Sequence, residues 1–211
     1  MPAKNILKYY LKDSTYHIYN RGVEKREIYS TERDYKVFLS YLRIYLLPKV
    51  LQGLSLKSFP SRQLKNYSQE IDLLAYCLMP NHFHLLLYQY TDRGIEMFMR
   101  ALLTKYSMYF NRVNHRVGPL FQGRYKAVRI IGDEQLVYTS KYIHLNPISG
   151  SVPEVYPYSS LRNYLLKSNQ FWVKPQKVLE AATNLPHYSN YSDYLTSRTD
   201  LEVKYYELAL S

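Results

Sequence analysis

Two apolar runs, Ile71 to Leu78 and His82 to Tyr90, flank the tripeptide Met79-Pro80-Asn81. Runs of this length around a Pro-Asn turn fold most simply as the two strands of a tight hairpin. The second strand opens with His82-Phe83-His84. Side chains alternate along a strand, so His82 and His84 lie side by side while Phe83 points the other way. Two imidazoles presented to one point suit a divalent metal. They do not complete its shell, so further ligands and a reacting group must come from elsewhere in the chain.

The rest of the sequence supplies partners for the hairpin. Thr15 to Asn20 reads as a strand ending at the Arg21-Gly22 turn, and Thr31 can cap a helix that runs to about Leu47 before Pro48. Residues 48–70 have no clear period and carry Lys49, Lys57, Arg62 and Lys65, which predicts a mobile connection. Gly94 to Asn114 holds Ile95, Phe98, Met99, Leu102, Leu103, Tyr106, Phe110 and Val113 at helical spacing. Gly118-Pro119 breaks the chain, Arg124 to Ile131 reads as a fourth strand, and Asp133 caps a helix that ends near Asn146 at Pro147. Strand-helix-strand-strand-helix-strand is the order of an α+β, ferredoxin-like sandwich, an antiparallel sheet with helices on one face. Residues 14–150 form this domain, and 151–211 a small helical C-terminal appendage packed on it, with a short helix expected over 159–166.

Charge narrows the class of partner. The chain has 28 basic and 17 acidic side chains, a net +11. Only four of the basic and five of the acidic ones lie beyond residue 170, so the first 170 residues hold 24 against 12. That field favours a polyanion and salt-dependent association. The 25 tyrosines add rings that can pack, or stack on unpaired bases. No apolar run reaches the roughly 20 residues that span a bilayer, and the first residues hold no signal-peptide core. The single cysteine, Cys77, fits a reducing cytoplasm.

On the 133–146 helix, Leu136, Val137, Ser140, Ile143 and His144 form an apolar face for the sheet. Tyr138, Tyr142 and Asn146 form a second stripe, spaced four apart. A phenol and an amide one turn apart can approach a metal held by other elements. His144 belongs to the packing face, and His17 on the first strand could lie near the site but reads better as a packed histidine.

The segments M-P-N-H-F-H-L-L-L, G-P-L-F-Q-G-R-Y-K and Y-I-H-L-N-P, with Y-H-I-Y-N-R-G before them and Y-P-Y-S-S-L-R-N-Y after, resemble the single-tyrosine HUH transposases (transposase IS200-like). Within that group the resemblance is to the REP-associated tyrosine transposases of bacteria, and it covers most of residues 14–166. Residues 48–70 look longer than is usual for that group, and those beyond 170 match nothing in it. The resemblance implies His82 and His84 as metal ligands, Asn146 as a further ligand, Tyr142 as nucleophile and Mg²⁺ or Mn²⁺ as cofactor. It also implies single-stranded DNA with palindromic hairpins as substrate, a monomer or homodimer, and a cytoplasmic, nucleoid-associated setting.

Ionising a phenol of ordinary pKa near 10 at pH 7 costs about 4 kcal/mol, which metal stabilisation of several kcal/mol can offset. Attack by Tyr142 would give a 5′-phosphotyrosine that keeps the energy of the broken linkage. The chain has no G-x-x-x-x-G-K-[ST] loop, as expected if rejoining needs no ATP. Structural zinc usually takes several cysteines and hydrolytic zinc a carboxylate or third histidine beside two histidines, whereas two histidines and an amide better suit Mg²⁺ or Mn²⁺. Tyr138 is a rival nucleophile, read instead as a DNA-stacking or packing residue. Arg112, Arg116, Arg124, Lys126 and Arg129 are candidate phosphate contacts. The competing readings are a non-catalytic or domesticated DNA hairpin-binding protein, and a replication initiator or relaxase of related chemistry.

Overall fold

The computed structural model describes residues 10–52, 64–149, 156–185 and 191–196. Lys57 and Arg62 of the 48–70 connection lie outside the described residues, as do parts of the appendage. Strand β1 (Ser14–Arg21), helices α1 (Glu32–Leu46) and α2 (Lys49–Gln52), strands β2 (Ile71–Met79) and β3 (His82–Gln89), helix α3 (Gly94–Val113), strand β4 (Lys126–Ile130) and helix α4 (Gly132–Leu145) follow in order. Three short helices come after them, α5 (Leu161–Tyr164), α6 (Gln176–Asn184) and α7 (Tyr191–Thr196). The sheet runs β2-β3-β1-β4, every pair antiparallel, which is the expected ferredoxin-like arrangement.

Helix α1 begins where the sequence signals it. The Asp34 carboxylate accepts the backbone N–H groups of Ser30 and Thr31 at 3.0 and 2.9 Å, closing a capping box with Thr31. It also accepts the Tyr109 hydroxyl of α3 at 3.0 Å, which ties the two crossover helices together. Both lie on one face of the sheet. There Phe38 and Leu42 of α1 and Phe98 and Leu102 of α3 meet Ile18, Leu78, Phe83 and Leu85 in one core.

The opposite face is covered as well. Leu74, Cys77 and Leu86 of the sheet pack with Val137 and Ile143 of α4, Leu161 of α5 and Val178 and Ala182 of α6. The sandwich therefore has helices on both faces, the second layer being α4 and the appendage. The reason is visible in the strands of the hairpin: β2 and β3 are buried almost continuously instead of alternating with polar residues.

The appendage also closes the outer edge of β2. Leu78 N–H donates to Tyr158 O at 2.9 Å, Ser160 N–H to Tyr76 O at 3.0 Å and Lys174 N–H to Leu73 O at 2.8 Å. Such bonds occupy backbone groups that would otherwise template pairing with another chain. The expected helix over 159–166 is a single turn, α5.

A mobile connection is expected over residues 48–70, of which 53–63 lie outside the described residues; its two described ends are anchored. The Gln52 and Asn66 amides both donate to Ile44 O and Leu47 O, satisfying the carbonyls at the end of α1. Tyr67 N–H adds a 2.7 Å bond to Tyr45 O.

Candidate metal and tyrosine site

Strand register brings the site together at one end of the sheet. Met79 pairs with His82, so Pro80-Asn81 is a two-residue turn. Across β1, His82 stands opposite Arg21 and His84 opposite Tyr19. The turn is held from outside by residues 22–29: Pro80 O accepts Ile28 N–H at 2.8 Å and Tyr29 N–H at 3.1 Å, and Asn81 O accepts Gly22 N–H at 2.8 Å. Gly22 is required by close approach, since a Cβ there would lie 2.2 Å from Arg26 O.

His82 Nδ1 lies 2.6 Å from Asn81 Oδ1, and Asn81 Nδ2 donates to Lys25 O at 3.2 Å. With the Asn81 amide so oriented, its oxygen can only accept, so the His82 proton sits on Nδ1 and the lone pair on Nε2. That Nε2 faces Asn146 Oδ1 at 3.4 Å. Asn146 is fixed in turn, its Nδ2 donating to Tyr142 O at 3.2 Å. Two acceptors therefore face each other with no hydrogen between them, an arrangement that a cation would satisfy.

Burial holds the imidazoles uncharged. It lowers the pKa of His82, with the Arg21 charge adding to the effect and the Asn146 contact opposing it. Burial, then the neighbouring His17 and His82, puts His84 well below the ordinary histidine value. Neutral imidazole is the form that binds metal.

Among the described residues no group of three His, Cys, Asp or Glu side chains could hold a metal ion. The candidate donors, His82, His84 and Asn146, would offer two imidazoles and an amide, without thiolate or carboxylate. Nothing in that set disagrees with Mg²⁺ or Mn²⁺ completed by substrate oxygens.

Helix α4 brings Tyr142 to the histidines. The half-buried Tyr142 ring centroid lies 5.5 Å from that of His84 at an interplanar angle of 88°, and 6.0 Å from that of His17 at 73°. Tyr138, one turn earlier, is only 6% exposed, which fits packing and leaves no open face for a base in this conformation. His144 packs as expected: Nδ1 contacts the Tyr191 hydroxyl and Nε2 the Ser160 hydroxyl, both at 2.8 Å.

His17 is buried, as a packed histidine should be, and it also reaches the site: its Nε2 lies 2.8 Å from His84 Nδ1. Sequence reasoning also gave no role to Arg21, whose Nε donates to Gln122 Oε1 at 2.6 Å, or to Gln122, whose N–H donates to Arg21 O at 2.8 Å. Their signal lay in the Y-H-I-Y-N-R-G and G-P-L-F-Q-G-R-Y-K segments, which the fold joins.

The basic candidates separate. Lys126 pairs with Tyr19, and its Nζ lies 5.8 Å from that ring centroid, beside the His84 strand position. Arg129 pairs with Tyr16 and lines a different cleft with Asp13, Asp133 and Lys177. Arg124 and Arg112 are exposed, while the Arg116 guanidinium lies 6.0 Å from the Phe110 ring centroid at the end of α3.

With this geometry in view, residues 49–146 match the family model for "Transposase IS200 like", a span that contains His82, His84, Tyr142 and Asn146. That segment is similar to the IS200-like transposases. Among solved structures, a REP-associated tyrosine transposase bound to a REP hairpin shares the fold, with a TM-score of 0.54. The two are 14% identical, over 78% of this chain and 87% of that one. A candidate transposase from Deinococcus radiodurans R1 also matches, with a TM-score of 0.38 and 17% identity over 68% of this chain and 95% of that one. No curated protein matches the chain. No described helix is long and apolar enough to cross a membrane.

Proposed function

We propose that this chain is a metal-dependent single-stranded DNA endonuclease and strand transferase, acting at hairpin-associated sites through a 5′-phosphotyrosine on Tyr142. One observation carries the reading: the His82 Nε2 and Asn146 Oδ1 acceptors face each other at 3.4 Å, and Tyr142 stands one turn before Asn146 with its ring against His84. The family of residues 49–146 supports the reaction class, and the hairpin bound to the structural relative supports the substrate.

His82, His84 and Asn146 would hold Mg²⁺ or Mn²⁺, which supplies Lewis-acid neutralisation of a nonbridging phosphate oxygen when bound. The residues of the chain do the rest. Tyr142 loses its proton and attacks the scissile phosphorus, forming the phosphotyrosine bond as the bond to the 3′-oxygen breaks. The 3′-hydroxyl is released, and attack by the same or another 3′-hydroxyl reverses the step without ATP. Helix α4 carries both nucleophile and amide ligand, so one rigid element sets their spacing. Lys126 flanks the entry and would hold the DNA backbone.

The test is a denaturation-resistant protein–DNA adduct formed with a labelled hairpin-bearing oligonucleotide in Mg²⁺ or Mn²⁺. Tyr142→Phe abolishes the adduct and keeps DNA binding, while Tyr138→Phe retains the adduct. An adduct that survives Tyr142→Phe rejects the nucleophile. Tight hairpin binding with no adduct under any metal would make the chain a binding protein instead.

A further inference from the structure

We propose that His17 is a positioning residue for the metal site: its Nε2 accepts the proton of His84 Nδ1 and so keeps the His84 Nε2 lone pair free for a ligand. The inference rests on the metal-site reading above and assigns a task to a residue outside the ligand set.

The geometry comes from β1, the strand between β3 and β4. His84 pairs with Tyr19 and His17 with Leu86, so His17 meets His84 on the diagonal of one sheet face. The Nε2···Nδ1 distance is 2.8 Å and the ring planes differ by 24°, as suits an in-plane N–H···N bond. Each side chain is only 6% exposed, so water competes little for the shared proton.

Two uncharged imidazoles in such contact share one hydrogen, and its position decides what His84 can do. If His17 donates, His84 Nδ1 is used as the acceptor and its hydrogen lies on Nε2, leaving no free lone pair. If His84 donates from Nδ1, Nε2 is left open. His82 is already in the second state, because Asn81 Oδ1 can only accept. With His17 as acceptor, the two ligand rings carry matching tautomers, each fixed by one polar partner behind it. An outer partner that sets tautomer and ring orientation is what metal-bound histidines ordinarily need. A neutral acceptor does this without burying a further charge.

The experiment reads the tautomer first and the metal second. Long-range ¹H–¹⁵N NMR on the metal-free full chain at neutral pH, with the His84 signals assigned by their loss in His84→Gln, shows His84 protonated at Nδ1. In His17→Leu that preference is lost, and Mn²⁺ affinity measured by EPR falls about 10- to 100-fold. In His17→Gln, whose amide oxygen can accept the same hydrogen, both readouts recover most of the way. Wild-type His84 protonated at Nε2 would overturn the proposal whatever the metal does. So would His17→Leu binding Mn²⁺ as well as the parent, or His17→Gln binding no better than His17→Leu. A parent chain that binds no Mn²⁺ while His84 remains protonated at Nδ1 would instead reject the metal site.

Discussion

The two faces of the sheet solve different problems with the same strands. Toward α1 and α3, Ile18, Phe83 and Leu85 pack with Phe38 and Phe98, and every one is wholly buried. Toward α4, at one end of the sheet, the neighbouring positions are His17, Tyr19 and His84, and burial there costs the charge on the imidazoles. The first face gains free energy from apolar area removed from water. The second, elsewhere an apolar core with α4 and α6, holds lone pairs in fixed directions at its histidine end. Phe83 lies between the two histidines in sequence and on the other side of the sheet, so adjacent residues can test the division.

The sharpest way to break the comparison is to set Phe83→Ala beside Tyr142→Phe. Phe83 packs against Phe38 and Phe121, at ring distances of 5.6 and 5.9 Å. Removing that ring should cost about 3–5 kcal/mol in urea unfolding. Tyr142→Phe keeps the ring and should change stability by less than about 1 kcal/mol, yet leave no covalent DNA adduct. If both variants lost stability alike, the functional face would be part of the load-carrying core and the division would fail.

Gly22→Ala sharpens the comparison at the junction of the two faces. The added methyl would meet Arg26 O at 2.2 Å and Ile28 Cγ2 at 3.0 Å, so the backbone must shift. Overpacking of this kind costs about 1–3 kcal/mol. Because Gly22 N–H supports Asn81 O, the shift should also weaken Mn²⁺ binding, measured on the folded fraction. A loss of stability with unchanged metal affinity would mean that the turn holds its shape without residues 22–29.

How far the site was legible in the sequence follows from the range of each contact. His82 and His84 are two residues apart, and Tyr142 and Asn146 four apart, so local periodicity puts each pair on one side of its element. The hairpin, the capping box at Thr31 and the strand-helix order rest on signals of the same short range. His17 does not, because its meeting with His84 depends on the register between β1 and β3, 67 residues apart. The second helical layer was foreshadowed by the unbroken apolar runs of β2 and β3 and by the apolar stripe of the 133–146 helix, neither of which says which face of the sheet that helix covers. The described ends of the connection after α1 showed no period because Gln52 and Asn66 bond to backbone carbonyls, a use of amides that leaves none.

The smallest expected effect concerns the open edge of the functional face. Lys126 stands opposite Tyr19, beside the His84 strand position, whereas Arg129 stands three residues farther along β4, roughly 10 Å away, and faces another cleft. If the DNA backbone enters along the histidine end, Lys126→Ala should remove about one phosphate contact. Hairpin affinity would fall several-fold at low salt, and the slope of log affinity against log salt would drop by about 0.7 to 1. Arg129→Ala should move both quantities less. Equal effects would mean that the DNA follows the whole length of β4, and the polar end of the sheet would no longer be a separate binding face.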